Sequence, residues 1–432
     1  MPDQTPDKGR WLIVFLLFLF MLVNFADKVV VGLAGVPIMK DLELTPKQFG
    51  LLGSAFFALY AVSGIVVGFI ANHVKTRWLL FIMAIIWSLA QFPMIGAVGF
   101  ATLLTCRIIL GAGEGPASPV AVHAAYKLFP DAERTLPTAI LAQGSAFGVI
   151  LAVPALNWII VNYSWHWAFG ALGIVGLIWS LLWLVLGREG TVAEASPQAV
   201  AAGGPEHVPY RHLLLAPTFI GACLAIFSTY WALSLGLTWF TPFLRQGLGY
   251  SQQEAGNLSV LPWLAGACVV MLSGWLSQIA VTRGASSRVA RGVFAGVFMV
   301  IGGLITVLMT QANLSPSATV ALLVIGSSLP AVIYVMVPAI LAEFTPVGQR
   351  GAVLAINTAA STTSGLIAPY VMGSLLGDVP TREGYMMGFL VCGVVQVLGG
   401  LAALLLLRPA QEKARLARLS AEAAPAATAA VA

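Results

Sequence analysis

The sequence predicts an all-α integral membrane protein with twelve transmembrane helices arranged as two six-helix bundles. Only 9% of its 432 residues are charged, whereas a soluble domain carries about 25%. Hydrophobic residues make up 59% of the chain. They fall in separate runs of about 20 residues, the length of helix that crosses a hydrocarbon core roughly 30 Å thick. This composition excludes a soluble enzyme, a nucleic-acid-binding protein and a disordered chain.

Clusters of Pro, Gly and charged residues divide the chain into twelve candidate spans. An even number of spans places both termini on one side of the membrane. If that side is the cytoplasm, the inner segments carry 16 Lys and Arg residues and the outer loops carry 4. Because cytoplasmic loops are enriched in basic residues, we expect both termini to be cytoplasmic. The spans lie near residues 11–36, 48–71, 78–98, 101–126, 135–161, 165–187, 214–243, 254–280, 290–311, 316–342, 350–376 and 385–407.

Composition further divides the chain into four parts. The spans predict an N-terminal six-helix bundle at 1–187 and a C-terminal six-helix bundle at 214–408. Between them, 188–213 is rich in Ala, Gly, Pro and Glu without apolar periodicity, which is typical of a flexible cytoplasmic linker. The Ala-rich segment 409–432 is expected to be a cytoplasmic tail that is disordered or at most weakly helical.

Two short matches between the halves indicate a duplicated six-helix unit. GFIANHVKTR at 68–77 aligns with GWLSQIAVTR at 274–283, and KLFPDAER at 127–134 aligns with EFTPVGQR at 343–350. Each match falls in the corresponding inter-helix loop of its half. Internal repeats of this kind are common in secondary transporters.

Four charged residues lie well inside predicted spans, away from the span ends, and at the bilayer centre one charge costs about 2.5–3.5 kcal/mol on insertion scales. Asp27 and Lys28 are in the first span, and Arg107 and Glu114 are in the fourth. Sequence neighbours project about 100° apart on a helix, so Asp27 and Lys28 pair poorly with each other, whereas residues seven apart share a face. One interpretation is a pair of interhelical salt bridges that lock the two spans together. The other is a single polar cavity that receives two acids and two bases.

The cavity interpretation predicts transport chemistry. Its carboxylates would exchange protons and its cations would hold an anion. The affinity of such carboxylates for a proton depends on whether an anion occupies the cations. This dependence couples the transport of protons to the transport of the anion. The run GAGEGPASP around Glu114 contains three Gly and two Pro, which indicates either close helix packing or a local irregularity beside a cavity.

The remaining candidate residues are neutral. Asn357 and Ser361 in the eleventh span can hydrogen-bond substrate hydroxyls, although helix contacts explain small polar residues equally well. Phe25, Tyr60 and Trp239 lie at cavity depth, but most aromatic residues in such a protein pack in the core or at the interfaces. The four cysteines have no CxxC spacing and the five histidines form no metal motif, so we expect no metal, cofactor or enzyme activity.

From about residue 11 to 408 the chain resembles the major facilitator superfamily. The run NFADK with Asp27, the run RIILGAGEGPASP with Arg107 and Glu114, and SWHWAF at 164–169 are similar to its anion:cation symporter branch. That branch includes bacterial sugar-acid carriers of the galactonate type and aromatic-acid carriers. The resemblance implies two six-helix bundles that rock around a central cavity.

The resemblance also implies roles for the intramembrane charges. Asp27 and Glu114 occupy the positions of proton-coupling carboxylates, and Arg107 that of a gating or substrate-linked arginine. Lys28 stands where relatives usually have the arginine that binds the substrate carboxylate. Since Lys is a point charge and Arg a planar fork, this difference leaves the anionic group of the substrate open.

Further positions match the family pattern only in part. Tyr60, Ser145 and Asn357 correspond to cavity residues, but Ser145 replaces the longer amide of the sugar-acid carriers. In the loop after the second span, Asn72 stands at the position of a family Asp, and Gln278 is its counterpart in the second half. The missing carboxylates are expected to weaken the contacts that close the cytoplasmic gate.

These observations together predict a proton-coupled symporter that imports a small organic anion, such as a sugar acid or an aromatic acid, by alternating access. Its expected partners are the anion, protons and the lipid bilayer, without nucleic acid, and it is expected to be a monomer in a bacterial inner membrane. Proton-driven efflux would use the same fold and similar carboxylates. A membrane enzyme or a non-transporting sensor is disfavoured, because the sequence contains neither a catalytic motif nor an elaborated soluble domain.

Overall fold

The computed structural model describes residues 9–71, 73–96, 98–130, 133–190 and 208–429, and the described residues form helices without strands. Within these ranges, eleven helices are long and apolar enough to cross a membrane. The helices are α1 (Arg10–Leu33), α2 (Pro46–Ile70), α3 (Thr76–Ile95), α4 (Phe100–Glu114 and Ala117–Tyr126), α5 (Thr135–Asn162), α6 (Trp165–Leu186), α7 (Pro217–Gly247), α8 (Gln252–Thr282), α9 (Arg288–Gln311), α10 (Pro316–Phe344), α11 (Arg350–Leu375), α12 (Arg382–Leu406) and α13 (Pro409–Ala429).

The predicted fourth span is the broken helix α4, whose parts contain 15 and 10 residues. Each part is too short to cross a membrane by itself, but together they cover the predicted span 101–126. The helix is interrupted at Gly115 and Pro116, where the proline lacks the N–H that a continuous helix needs. Counted in this way, the eleven long helices and α4 agree with the predicted twelve-helix fold.

Several helices begin at residues that cap them. Thr45 and Gln48 form a capping box at the start of α2, with Pro46 in the first turn. Ser251 and Glu254 form the same arrangement at the start of α8. Because these side chains satisfy backbone N–H groups that have no partner within the helix, they fix where α2 and α8 begin.

The contacts within the chain define two compact units that do not coincide with the two sequence halves. The first unit contains the described residues of Met1–Glu194 together with Ser234–Leu264 and Gly365–Gly388. The second contains the described residues of Ala195–Leu233 together with Ala265–Ser364 and Phe389–Ala432. Helices α7, α8, α11 and α12 are therefore each divided between the two units.

In the first unit, the ends of α7 and α11 pack closely on α1 and α2. A side chain at Gly32 would collide with the backbone carbonyl of Leu237, and one at Gly50 would collide with that of Pro369. The indole Nε1 of Trp239 donates a hydrogen bond of 2.9 Å to the carbonyl of Pro369. These contacts join both sequence halves near the loops that the sequence predicts to be outside.

The second unit contains an apolar core and the helix α13. Val337, Ile340 and Leu341 of α10 are fully buried in this core. Leu416 of α13 is 3% exposed and packs in the same cluster, with Leu419 beside it. The segment from 409 was expected to be disordered or at most weakly helical, and it forms a helix over Pro409–Ala429 because its leucines have an apolar surface to cover.

The predicted loop features are described only in part. Asn72 lies outside the described residues, and so does most of the linker 188–213, from 191 to 207. Gln278 lies near the end of α8, where it is exposed.

After α6, Glu189 links three segments of the first unit. Its carboxylate accepts hydrogen bonds from the backbone N–H groups of Thr76 and Arg77 at the start of α3, at 3.1 and 2.9 Å. It also forms an ion pair of 2.8 Å with Lys127 after α4. Partial burial raises the pKa of Glu189, but Lys127 and the backbone donors outweigh burial and hold this pKa below its usual value.

Replacing Glu189 by Gln is expected to lower the free energy of unfolding by about 1 kcal/mol, a modest figure because the pair is partly exposed. A carboxylate with a lowered pKa stabilises the fold above its ordinary pKa of 4.5 and loses this effect as the pH falls through the lowered value. Thermal unfolding of the parent and the variant in detergent, at neutral pH and at about pH 4, tests whether the stabilisation by Glu189 weakens as the pH falls. As a control, Glu133→Gln removes the more exposed pair with Arg10 and should change stability less. If both variants lost the same stability, the stabilising role given to Glu189 would be contradicted.

Candidate functional site

The four intramembrane charges meet in the first unit, where α1 and α4 form a buried ion pair. The Lys28 Nζ lies 2.8 Å from the Glu114 Oε2, and the two side chains are 6% and 0% exposed. Asp27 and Arg107 are 0% and 5% exposed and form no salt bridge within the described residues. One interpretation of the sequence supposes two salt bridges between these helices, and the described structure contains one.

Asp27 faces α3 and contacts a neutral group. The Gln91 Nε2 donates a hydrogen bond of 2.9 Å to the Asp27 Oδ1. The Asp27 Oδ2 is buried and has no hydrogen-bond partner among the described residues. Asp27 is thus a buried carboxylate with one oxygen bonded and one oxygen able to receive a proton.

Aromatic rings surround the ammonium group of Lys28. Its Nζ lies 4.4 Å from the centroid of the Phe25 ring, 5.7 Å from that of Tyr60 and 5.8 Å from that of Phe56. The Nζ also donates hydrogen bonds to the side-chain and backbone oxygens of Asn24, one turn earlier on α1. Ring faces attract a cation, so three aromatic rings help to hold the Lys28 ammonium beside Glu114.

Arg107 is the cation of the site that lacks a carboxylate partner in the described chain. The central carbon of its guanidinium lies 4.7 Å from the centroid of the Phe56 ring. Its Nε and Nη1 are buried, and neither has a hydrogen-bond partner in the part of the chain that is described. A buried donor without an acceptor is unfavourable, and a guanidinium forms its strongest hydrogen bonds with anionic acceptors.

Glycines allow α4 to approach α2 closely enough to place these side chains. A side chain at Gly111 would collide with the carbonyl of Phe56, and one at Gly115 would collide with that of Tyr60. The α4 helix breaks directly after Glu114. The glycines thus pack two helices together, and the break in α4 lies beside the ion pair.

The remaining predicted site residues of the first unit differ in their surroundings. Tyr60 and Phe25 contact Lys28 as described, and the Phe25 ring also meets that of Trp263 at 6.2 Å. Ser145 is half-buried on α5, beside the point where Gly144 packs on α1. Trp239 is fully buried, with its indole N–H bonded to a backbone carbonyl, so it packs the helix ends of this unit.

Asn357 and Ser361 lie on α11 in the second unit. The Asn357 Nδ2 donates a hydrogen bond of 3.2 Å to the Cys223 Sγ, and the Ser361 hydroxyl donates one of 2.6 Å to the Asn357 carbonyl. Both side chains are buried, at 2% and 0% exposure. Their contacts within this unit are those of a polar helix interface.

Two site residues do not stand out from the sequence pattern. Asn24 supports Lys28 and Gln91 supports Asp27, and both amides are nearly fully buried. The available signal was their position, because each is an uncharged polar residue inside an apolar run. For Asn24 the spacing of four residues from Lys28 is a second signal, since residues at that spacing are neighbours on a helix.

Comparison with known proteins gives the same fold. A bacterial homologue of the human lysosomal transporter Spinster, solved in an inward-facing and unoccupied conformation, superposes with a TM-score of 0.75 and 20% identity, over 94% of this chain and 98% of that one. A D-xylose-proton symporter superposes with a TM-score of 0.73 and 17% identity, over 93% of this chain and 99% of that one. At these identities the likeness establishes the fold alone, and it confirms the predicted architecture.

Sequence relatives match over nearly the whole chain. A hexuronate transporter of Bacillus subtilis is 28% identical over 423 residues, which cover 93% of this chain and 96% of the relative. A D-galactonate transporter of Escherichia coli O6:H1 is 27% identical over 425 residues, with 93% and 96% coverage. The predicted resemblance to sugar-acid carriers is thereby confirmed. The profile of the Major Facilitator Superfamily matches residues 16–333, well over half of the sequence, and the chain belongs to this family.

Proposed function

We propose that this multi-pass membrane protein imports a small organic anion of the sugar-acid class together with protons, by alternating access across a bacterial cytoplasmic membrane. The observation that carries the proposal is the buried group of two carboxylates and two cations in the first unit. Such a group is electrically balanced when every member is ionised. An added anion upsets the balance, and an added proton restores it.

The geometry suggests how the proton and the anion exchange places. While Glu114 is ionised, it holds the ammonium of Lys28 at 2.8 Å. When Glu114 accepts a proton, it loses its charge, and Lys28 together with the unpaired Arg107 can hold the carboxylate of the substrate. Since an uncompensated buried charge is costly, the anion and the proton favour each other's binding.

Asp27 supplies a second proton site close to the first. It lies one residue from Lys28 and faces α3, so protonation of Asp27 also changes the charge around the cations. If both carboxylates carry a proton while one monoanion is bound, each cycle would move net positive charge inward. Uptake should then respond to the membrane potential as well as to the pH gradient.

The substrate class rests on the relatives and on the chemistry of the site. The names of two relatives specify a hexuronate and D-galactonate, both of which are hydroxylated carboxylates. A carboxylate suits Lys28 and Arg107. Tyr60, whose ring centroid lies 5.7 Å from the Lys28 Nζ, carries a hydroxyl that can hydrogen-bond a sugar hydroxyl.

The packing within the first unit supports alternating access. The predicted outer ends of α7 and α11 already pack on α1 and α2 there, with backbone contacts at Gly32 and Gly50. During an import cycle, these contacts would separate to admit the anion from outside and re-form after it has entered.

The proposal is tested by uptake into liposomes that contain the purified protein under an imposed pH gradient, acidic outside. The panel is D-galactonate, D-glucuronate, galactarate and benzoate, with uncharged D-galactose as the control. We expect accumulation of at least one sugar acid above its external concentration, and no accumulation of D-galactose. If none of the acids accumulates and none exchanges across the membrane, the proposal fails.

A further inference from the structure

Gln91 is a buried amide that directly contacts one of the two proposed proton sites. It ends the α-helical part of α3, Thr76–Gln91, and it is 2% exposed. Its Nε2 donates the hydrogen bond of 2.9 Å to the Asp27 Oδ1. An amide buried in a membrane-spanning helix is unfavourable unless it is hydrogen-bonded, and here the bond is made to a carboxylate.

Packing alone does not explain this contact between α1 and α3. One helical turn earlier on α3, Trp87 packs against Phe20 of α1, with ring centroids 4.7 Å apart. On its other side α3 meets α6, where a side chain at Gly173 would lie 3.3 Å from the Gln91 Cβ. These apolar contacts already hold α3 against both neighbours, so the amide is not required to join them.

The charged groups that act on Asp27 are Glu114, Lys28 and Arg107. The other Asp, Glu, Lys, Arg or His residues of the helices that pack around Asp27 are Arg77 in α3, His123 in α4 and His166 in α6, whereas α5 contains none. Gln91 is therefore the neutral partner of Asp27 in this environment. A carboxamide can serve either protonation state of Asp27, since it donates through Nε2 to the ion or accepts through Oε1 from the acid.

We propose that Gln91 is a positioning residue that sets the pH at which Asp27 takes up its proton. The inference rests on the proposed role of Asp27 as a proton site. Hydrogen bonds to an ionised group are stronger than those between neutral groups, so the Gln91 amide favours the ionised form of Asp27 over the acid. Removing the amide leaves this carboxylate without the donor and favours its protonated form.

Gln91→Met tests the inference, because Met has a similar length and no hydrogen-bond donor. The measurement is the infrared absorption of protonated carboxyl groups in lipid-reconstituted protein, followed from acid to alkaline pH. Subtracting the spectrum of the Asp27→Asn variant, prepared in each background, isolates the Asp27 signal. The pH at which half of the Asp27 signal is lost is the titration midpoint of Asp27. We expect this midpoint to rise by about one pH unit in Gln91→Met, which is about a tenfold gain in proton affinity. Neither substrate nor transport is needed, so this measurement does not depend on the identity of the transported anion.

Gln396→Met is the matched control. Gln396 is also a fully buried glutamine, in α12 of the second unit, and its two amide atoms have no hydrogen-bond partner among the described residues. The Asp27 midpoint should be unchanged in this variant. If Gln91→Met does not fold, Gln91→Leu serves the same comparison. An unchanged midpoint in the Gln91 variant would overturn the inference, and so would the absence of any Asp27 signal across the pH range.

Discussion

Replacing Glu114 by Gln is expected to abolish accumulation of the anion against its gradient while exchange of the anion across the membrane continues. Gln has the shape of a protonated Glu but cannot release a proton, so the variant remains in the form that frees Lys28 from its 2.8 Å ion pair. A pH gradient of one unit supports up to about tenfold accumulation per proton. In liposomes with such a gradient, the ratio of internal to external anion should fall to about one, because uptake needs the proton that Glu114 carries.

Asp27→Asn should lose accumulation in the same assay. The matched control for both variants is Glu343→Gln, which removes a carboxylate of the second unit that pairs with Arg291 at 3.2 Å. It should accumulate the anion as the parent does. If both Asp27→Asn and Glu114→Gln accumulated normally, the assignment of the proton sites would be wrong.

Replacing Lys28 by Ala is the second change with a large expected effect. Truncating one member of a buried charge pair typically costs 2–5 kcal/mol, which corresponds to a loss of affinity of about 30-fold or more. Calorimetric titration of the purified protein with D-galactonate measures this loss. Lys28→Arg retains the positive charge and should keep measurable binding, which separates a lost charge from a misfolded protein.

A lysine outside the site provides the control for this prediction. The Lys47 Nζ lies 5.6 Å from the centroid of the Tyr370 ring, so Lys47→Ala also removes an ammonium from an aromatic face. The side chain of Lys47 is exposed, and binding should be unaffected. Near-normal affinity in Lys28→Ala would instead move the anion site to Arg107.

The architecture could be predicted from the sequence because it depends on one-dimensional properties. The length of the apolar runs determines how many helices can cross a membrane, and Pro116 marks where α4 breaks. The helix after 409 was harder to predict. Its stability depends on an apolar surface of α10 that Leu416 can cover, and such a tertiary contact is not visible in an Ala-rich composition.

The charges of the candidate site could be predicted, but not their pairing. Position inside an apolar run was enough to select Asp27, Lys28, Arg107 and Glu114. Helical geometry specifies which residues share a face, but it does not specify which neighbouring helix that face meets. The ion pair of Lys28 with Glu114 therefore became clear only from the structure, and so did the contact of Asp27 with Gln91.

The central claim is that a proton and the anion enter together because they share one buried group of charges. The most direct test follows the internal pH of liposomes with a trapped pH-sensitive dye, after D-galactonate is added outside without an imposed pH gradient. The account predicts acidification of the interior by the parent protein and none by Glu114→Gln. Entry of the anion without acidification by the parent would contradict it.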